Sequence, residues 1–216
     1  MRMFSCAVIL FCGVFFGCAC WLSTVKTVVW EREFYFVTSA SENVQASLYT
    51  VTMDGGAGFP IEDKDMYHIA YSVYFTQDTA LSAAYAVQAF GEDVKIIKRS
   101  TGKLYFKGRK EKKQKSKTLN ALKGLENCMQ LLQTEIKRLE DGTTQQASKR
   151  RIKAIIMQLR CLADANMYIS TYAQGCQVSA ERLERSIKEI VFVKTLRFEL
   201  CNLSETYLKT CEKFYF

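Results

Sequence analysis

The stretch 66-MYHIAYSVYF-75 decides the fold. Side chains alternate along it. Tyr67, Ile69, Tyr71 and Val73 fall on one side, and His68, Ala70, Ser72 and Tyr74 on the other. Successive side chains of a strand point to opposite faces, so this pattern predicts a half-buried strand.

The neighbouring segments extend the reading. "REFYFVTSA" (32–40) is aromatic and β-branched, which predicts another strand. Ser41 stands where a helix N-cap is expected. Val44, Leu48 and Val51 then recur at helical spacing within 42–53. Gly55 and Gly56 end that helix, "AGFPI" (57–61) is extended, and "EDKD" (62–65) is a polar turn. An alanine-rich helix with Ala80, Ala84 and Val87 runs over 76–91, and "DVKIIKR" (93–99) is a final strand. The order is β-α-β-β-α-β, a split βαβ arrangement with both helices on one face of a small antiparallel sheet. Each half has a strand, a polar cap and alanines, so the halves read as a candidate internal repeat.

The glycine cluster "GGAGF" (55–59) raises the question of a phosphate site. A phosphate loop follows a strand and opens a helix, so that the helix-start amides face the anion. Here the glycines follow a helix and precede a strand. There is no following Lys-Ser/Thr and no GxGxxG spacing. The cluster is therefore read as a turn, with Gly55 and Gly56 suited to a helix C-cap.

The flanks differ from this centre. "MFSCAVILFCGVFFGCACWLSTV" (3–25) carries no charge, and about 20 apolar residues suffice to cross a bilayer as a helix. It predicts a membrane anchor over 1–26. Arg2 favours a cytoplasmic N-terminus and an extracytoplasmic location for most of the chain, giving a single-pass membrane protein with membrane lipid as one partner. A cleaved signal peptide and a lipidated Cys18 or Cys20 stay open as alternatives. At the other end, residues 101–117 form a basic linker, with "KLYFKGRKEKKQKSK" at 103–117. Leu119, Leu122, Leu125, Met129, Leu132, Ile136 and Leu139 then form an apolar seam. "EDGTTQQ" (140–146) breaks it. A second helical face runs to about Gly175, and Ser179 caps a third, so residues 118–216 are expected to form an antiparallel three-helix bundle.

Charge divides the chain in the same way. Residues 1–100 hold 7 Lys+Arg and 10 Asp+Glu, net −3, and residues 101–216 hold 23 and 12, net +11. The basic half suits an anionic neighbour such as lipid headgroups or wall polyanions. Nucleic acid fits least, because no recognition motif is present. The nine cysteines include no CxxC pair, and one histidine cannot complete a Cys/His zinc set. No nucleophile-base set or Gly-rich cofactor loop is present. The expectation is a non-enzymatic protein with no metal and no cofactor.

Residues 67–80, Y-x-I-x-Y-S-V-Y-F-x-x-x-x-A in this order of elements, resemble the SPOR family, which binds bacterial peptidoglycan. The "GGAGF" before the middle hairpin is similar to SPOR-like exported proteins of spore-forming Firmicutes. The resemblance covers residues 32–100. It implies that the sheet face away from the helices holds glycan strands. By strand parity that face comprises Phe36, Thr38, His68, Ala70 and Ser72, with Phe36 and His68 against sugar rings and Thr38 and Ser72 toward hydroxyls. The expected fold class is α+β: an N-terminal transmembrane helix, a ferredoxin/RNP-like β-α-β-β-α-β domain and a C-terminal helical bundle. The expected function is peptidoglycan binding in the cell envelope, in sporulation or division. The alternative is a membrane-tethered interaction or scaffold protein that binds no glycan and assembles, with a protein partner or itself, through its C-terminal helices.

Overall fold

A computed structural model of the protein describes residues 29–41, 43–64, 66–105, 111–188 and 190–213. In chain order the elements are β1 (Val29–Trp30), β2 (Glu33–Ser39), α1 (Val44–Met53), β3 (Phe59–Asp63), β4 (Met66–Tyr74), α2 (Gln77–Gln88), β5 (Val94–Ser100) and β6 (Leu104–Tyr105). Four longer helices follow: α3 (Glu111–Glu140), α4 (Gln145–Ala165), α5 (Ser170–Ser186) and α6 (Val193–Glu212).

Four strands form an antiparallel sheet in the order β3-β4-β2-β5. β1 and β6 pair separately as a short ribbon. The two helices of the sheet unit start at side-chain caps. Asn43 Oδ1 accepts from Ala46 N at 3.1 Å, so Asn43 caps α1 in place of the expected Ser41. Thr76 Oγ1 accepts from Thr79 N at 3.3 Å to open α2. Each satisfies one of the amides left free at a helix start.

One face of the sheet packs on α1 and α2. Tyr35, Val37, Ile69 and Tyr71 meet Val51 of α1 and Ala80 and Ala84 of α2. The alternation of β4 is interrupted by a bulge. Val37 pairs with Ser72, but the next residue, Thr38, pairs with Ala70. The extra residue swaps the faces beyond it. Ile69 and Tyr71 therefore face the helices, whereas Val73 joins the opposite core.

The opposite face is covered by the second half of the chain. α3 to α6 form a ring in which α3 touches α4 and α6, and α5 touches both α4 and α6. α6 lies across β4 and β3. Phe34 meets Tyr207 edge-on at 5.4 Å, and Phe59 meets Phe198 at 5.1 Å. Phe34, Phe36, Ile61 and Val73 belong to the same continuous core as Leu122, Leu159, Leu183 and Leu200. Trp30 Nε1 donates to the Tyr207 hydroxyl at 2.7 Å, and Arg32 Nε reaches Glu126 Oε1 at 2.7 Å, which ties the ribbon to the bundle.

Three expectations are corrected. The transmembrane helix of the expected fold class is not found: among the described residues no helix is long and apolar enough to cross a membrane. The stretch 3–25 that carried the expected anchor lies outside the described residues, and a single-pass membrane location has no support here. The bundle has four helices among the described residues, not three. The predicted break near Gly175 was misplaced because Gly175 lies inside α5, where it serves contact. A Cβ there would meet Thr206 Oγ1 at 2.3 Å, so glycine lets α5 and α6 approach closely. Likewise Ser179 sits buried within α5 and donates to Glu199 Oε2 at 2.7 Å. The real chain reversals, at 166–169 and 187–192, contain neither glycine nor proline. The Asn166 side-chain amide donates to Leu162 O at 2.8 Å, capping the end of α4. Gln145 holds the second reversal by accepting from Val191 N at 2.9 Å and donating to Val191 O at 3.1 Å.

Candidate functional site: the covered sheet face

The five residues expected to contact glycan are all buried. Phe36, Thr38 and Ala70 are fully so, and His68 and Ser72 are each 4% exposed. Four of them share the bundle side of the sheet. Phe36 and Ala70 belong to the core that continues into the bundle. Thr38 stands opposite Ala70, and His68 opposite Ile61 of that same core. Ser72 does not join them. It stands opposite Val37, whose side chain packs on α1 and α2, so the bulge turns Ser72 to the helix side. The face expected to be open is covered. Parity placed four residues together, and α6 covers them.

The polar groups in this face are unequally provided for. Thr38 Oγ1 donates to Lys95 O at 3.1 Å. His68 has no hydrogen-bond partner in the protein at either Nδ1 or Nε2. Charged groups close the margin. Lys95 Nζ lies 2.9 Å from Asp63 Oδ2, which holds the Asp63 carboxyl below its ordinary range. Arg99 Nη1 donates to Glu62 O at 3.1 Å and stands 3.8 Å from Glu205 Oε1 of α6. Burial pushes the Glu205 carboxyl up, partly offset by Arg99.

The glycine turn is equally committed. Gly55 N donates to Thr52 O at 3.4 Å, Gly56 N to Val51 O at 2.7 Å, Ala57 N to Tyr71 O at 2.8 Å and Gly58 N to Ala70 O at 3.0 Å. These four amides are used within the protein, so they make no anion cradle. Gly55 and Gly58 adopt φ of +78° and +66°, where a side chain would be strained. Gly55 O accepts from Arg197 Nη1 at 2.7 Å, so the turn also anchors α6.

Among the described residues no group of three or more His, Cys, Asp or Glu side chains is placed to hold a metal. Burial pushes the thiols of Cys128, Cys176 and Cys211 up to about 12, so they stay protonated and unreactive at neutral pH. Burial likewise raises the Tyr71 hydroxyl to about 12.

Sequence reasoning missed the surface that remains apolar and open. In α1 only Ser47 and Val51 are buried. Val44 and Leu48, which share the helical spacing of Val51, are 38% and 43% exposed, and Tyr49 and Met53 are each 69% exposed.

Comparison with protein-family models, with curated proteins and with solved structures finds no match.

Proposed function

We propose that the protein is a non-catalytic protein-interaction module that binds no glycan on its sheet. The observation that carries this reading is the burial of Phe36, Thr38, His68 and Ala70 beneath the bundle. A sugar platform needs rings and hydroxyl-bonding groups at the surface. Here the equivalent rings fill a core that both halves of the chain share. The surfaces left for partners are the outward side of α1 and α2 and the basic exterior of the bundle. The first is apolar and nearly uncharged, and the second follows from the 19 Lys+Arg against 12 Asp+Glu of residues 111–216.

A second reading is favoured by one observation. His68 lies on the covered face with two unpartnered ring nitrogens, a group that gains by exposure to water or to a hydroxylated ligand. In this reading the sheet is SPOR-like and engages peptidoglycan after the bundle has moved aside. Retention of the full chain on purified sacculi separates the two. The interaction-module reading expects retention only at low salt, through the basic exterior, and complete loss at high salt. Retention that survives high salt and is abolished by His68→Ala together with Thr38→Ala would sink it in favour of the glycan reading.

A further inference from the structure

We infer that the end of the bundle at the reversal between α5 and α6 is a docking surface for an acidic polypeptide segment carrying an apolar side chain. This rests on the interaction-module reading and names the chemistry of the partner.

Bonds between side chains hold four helices together at this end. Gln145, at the start of α4, bonds both the N and the O of Val191 in the reversal. Arg151 of α4 pairs with Glu135 of α3. Arg197, near the start of α6, lies 2.6 Å from Glu140 Oε1 at the end of α3. Val191 is buried, and the backbone of Phe192 is extended. Its neighbours Ile190 and Phe192, 58% and 51% exposed, therefore share the side opposite to it.

Charge selects the occupant. Residues 137–153 and 185–197, which build this end, hold 10 Lys+Arg and 3 Asp+Glu. Of the acids, Glu140 is engaged by Arg197, Asp141 is exposed in the turn before α4, and Glu189 is outside the described residues. Lys188 and Lys194 flank the apolar pair, and Lys194 Nζ lies 5.8 Å from the centre of the Phe192 ring. Arg150 and Lys153 are exposed on α4, whose first turn has no acid, so the positive end of that helix adds to the field. A second copy does not fit, because a two-fold contact would set this positive surface against itself. A lipid bilayer fits less well. Ile190 and Phe192 keep nearly half of their surface against their own fold, which makes a shallow patch rather than a wedge for insertion. An apolar centre within a charged rim is the anatomy of a protein contact, and this rim is complementary to carboxylates.

The full chain is titrated with two synthetic peptides of equal length, polyglutamate and polyglutamate interspersed with leucines, and hydrogen–deuterium exchange locates the contact. Both peptides are expected to slow exchange at 145–153 and 187–194, and the leucine peptide to bind about tenfold tighter. Lys188→Glu with Lys194→Glu is expected to weaken both by at least about tenfold. Ile190→Ser with Phe192→Ser is expected to remove the leucine preference and leave polyglutamate binding unchanged. Phe192 is the N-cap of α6, a position that suits serine, and unchanged thermal midpoints verify folding of each variant. Lys117→Glu with Lys209→Glu, exposed toward the other end of the bundle, makes the same change in net charge and is expected to leave both affinities intact. Absence of protection at the two segments overturns the inference, as does equal affinity for the two peptides. An equal loss in the Lys117/Lys209 variant overturns it by reducing binding to net charge. Stronger protection of the same segments by phosphatidylglycerol vesicles than by the leucine peptide overturns it in favour of a lipid surface. Retention on sacculi that survives high salt would sink the interaction-module reading without touching these results.

Discussion

Glu199 is the residue whose surroundings most clearly set a pH dependence. It sits in α6, 1% exposed, between α5 and its own helix. Ser179 Oγ donates to Oε2 at 2.7 Å, and Arg182 Nη1 lies 3.7 Å from Oε1. Burial outweighs both partners and raises the carboxyl from 4.5 to about 7. The folded state therefore holds this proton over a range in which the unfolded chain has released it. Stability contributed by the protonated form is full below the unfolded value and falls as pH rises toward 7. One unit corresponds to about 1.4 kcal/mol, so the whole change is on the order of 3 kcal/mol. Urea unfolding at about pH 5 and about pH 8 should show the wild type losing stability across this range relative to Glu199→Gln. Other buried acids such as Glu205 contribute equally to both proteins, so the difference isolates Glu199. A difference that stays constant with pH would show that Glu199 is ionised throughout.

At the scale of elements, the bundle turns on one glycine contact. Gly175 lies in the middle of α5, and a Cβ there would meet Thr206 Oγ1 at 2.3 Å and Cγ2 at 2.4 Å. Thr206 cannot easily turn away, because its hydroxyl donates to Asn202 O at 2.9 Å. Gly175→Ala gains helix propensity of about 1 kcal/mol but forces α5 from α6, at about 1–3 kcal/mol. The net expectation is a loss of up to about 2 kcal/mol, recovered in part by Thr206→Ala, as read by denaturant midpoints. A more stable Gly175→Ala would mean that the helices are not so close. The same glycine explains an error of sequence reading. Glycine near the end of an apolar run looks like a helix stop, and only the partner helix reveals that it is a contact. Conversely, the true reversals rest on Asn166 and Gln145, whose capping bonds leave no period or punctuation in the sequence. β4 was legible by its alternation up to Tyr71. Beyond it the bulge exchanged the faces, which is why Ser72 was assigned to the wrong side and His68 and Ala70 to the right one. What covers a face is a long-range matter, and no local pattern in β2 or β4 could show α6 lying on it.

For the whole molecule, the question is whether the charge divide marks two independent modules. The sequence reading separates a sheet domain at 32–100 from a bundle at 118–216. The structure joins them through one core: Phe34, Phe36, Ile61, Val73 and Ile97 on the sheet side meet the bundle without an intervening solvent layer. Five such side chains, at about 1.5–3 kcal/mol each for full burial, represent apolar stabilisation comparable with the total stability of a small domain. Cutting the chain after residue 105 would expose them together with the orphaned His68, leaving a four-stranded sheet covered on one side only. An antiparallel sheet tolerates one wet face when that face is polar; this one is aromatic and aliphatic. The fragment 29–105 is therefore expected to lack a cooperative thermal transition, to bind a hydrophobic dye and to aggregate, whereas the full chain unfolds in one step. Adding separately produced 106–216 should restore the transition if the two pieces meet through this core. A fragment that unfolds cooperatively by itself, with a dye-free surface and a sharp midpoint, would show that the sheet is a self-sufficient domain and that its bundle-side face can stand open in water.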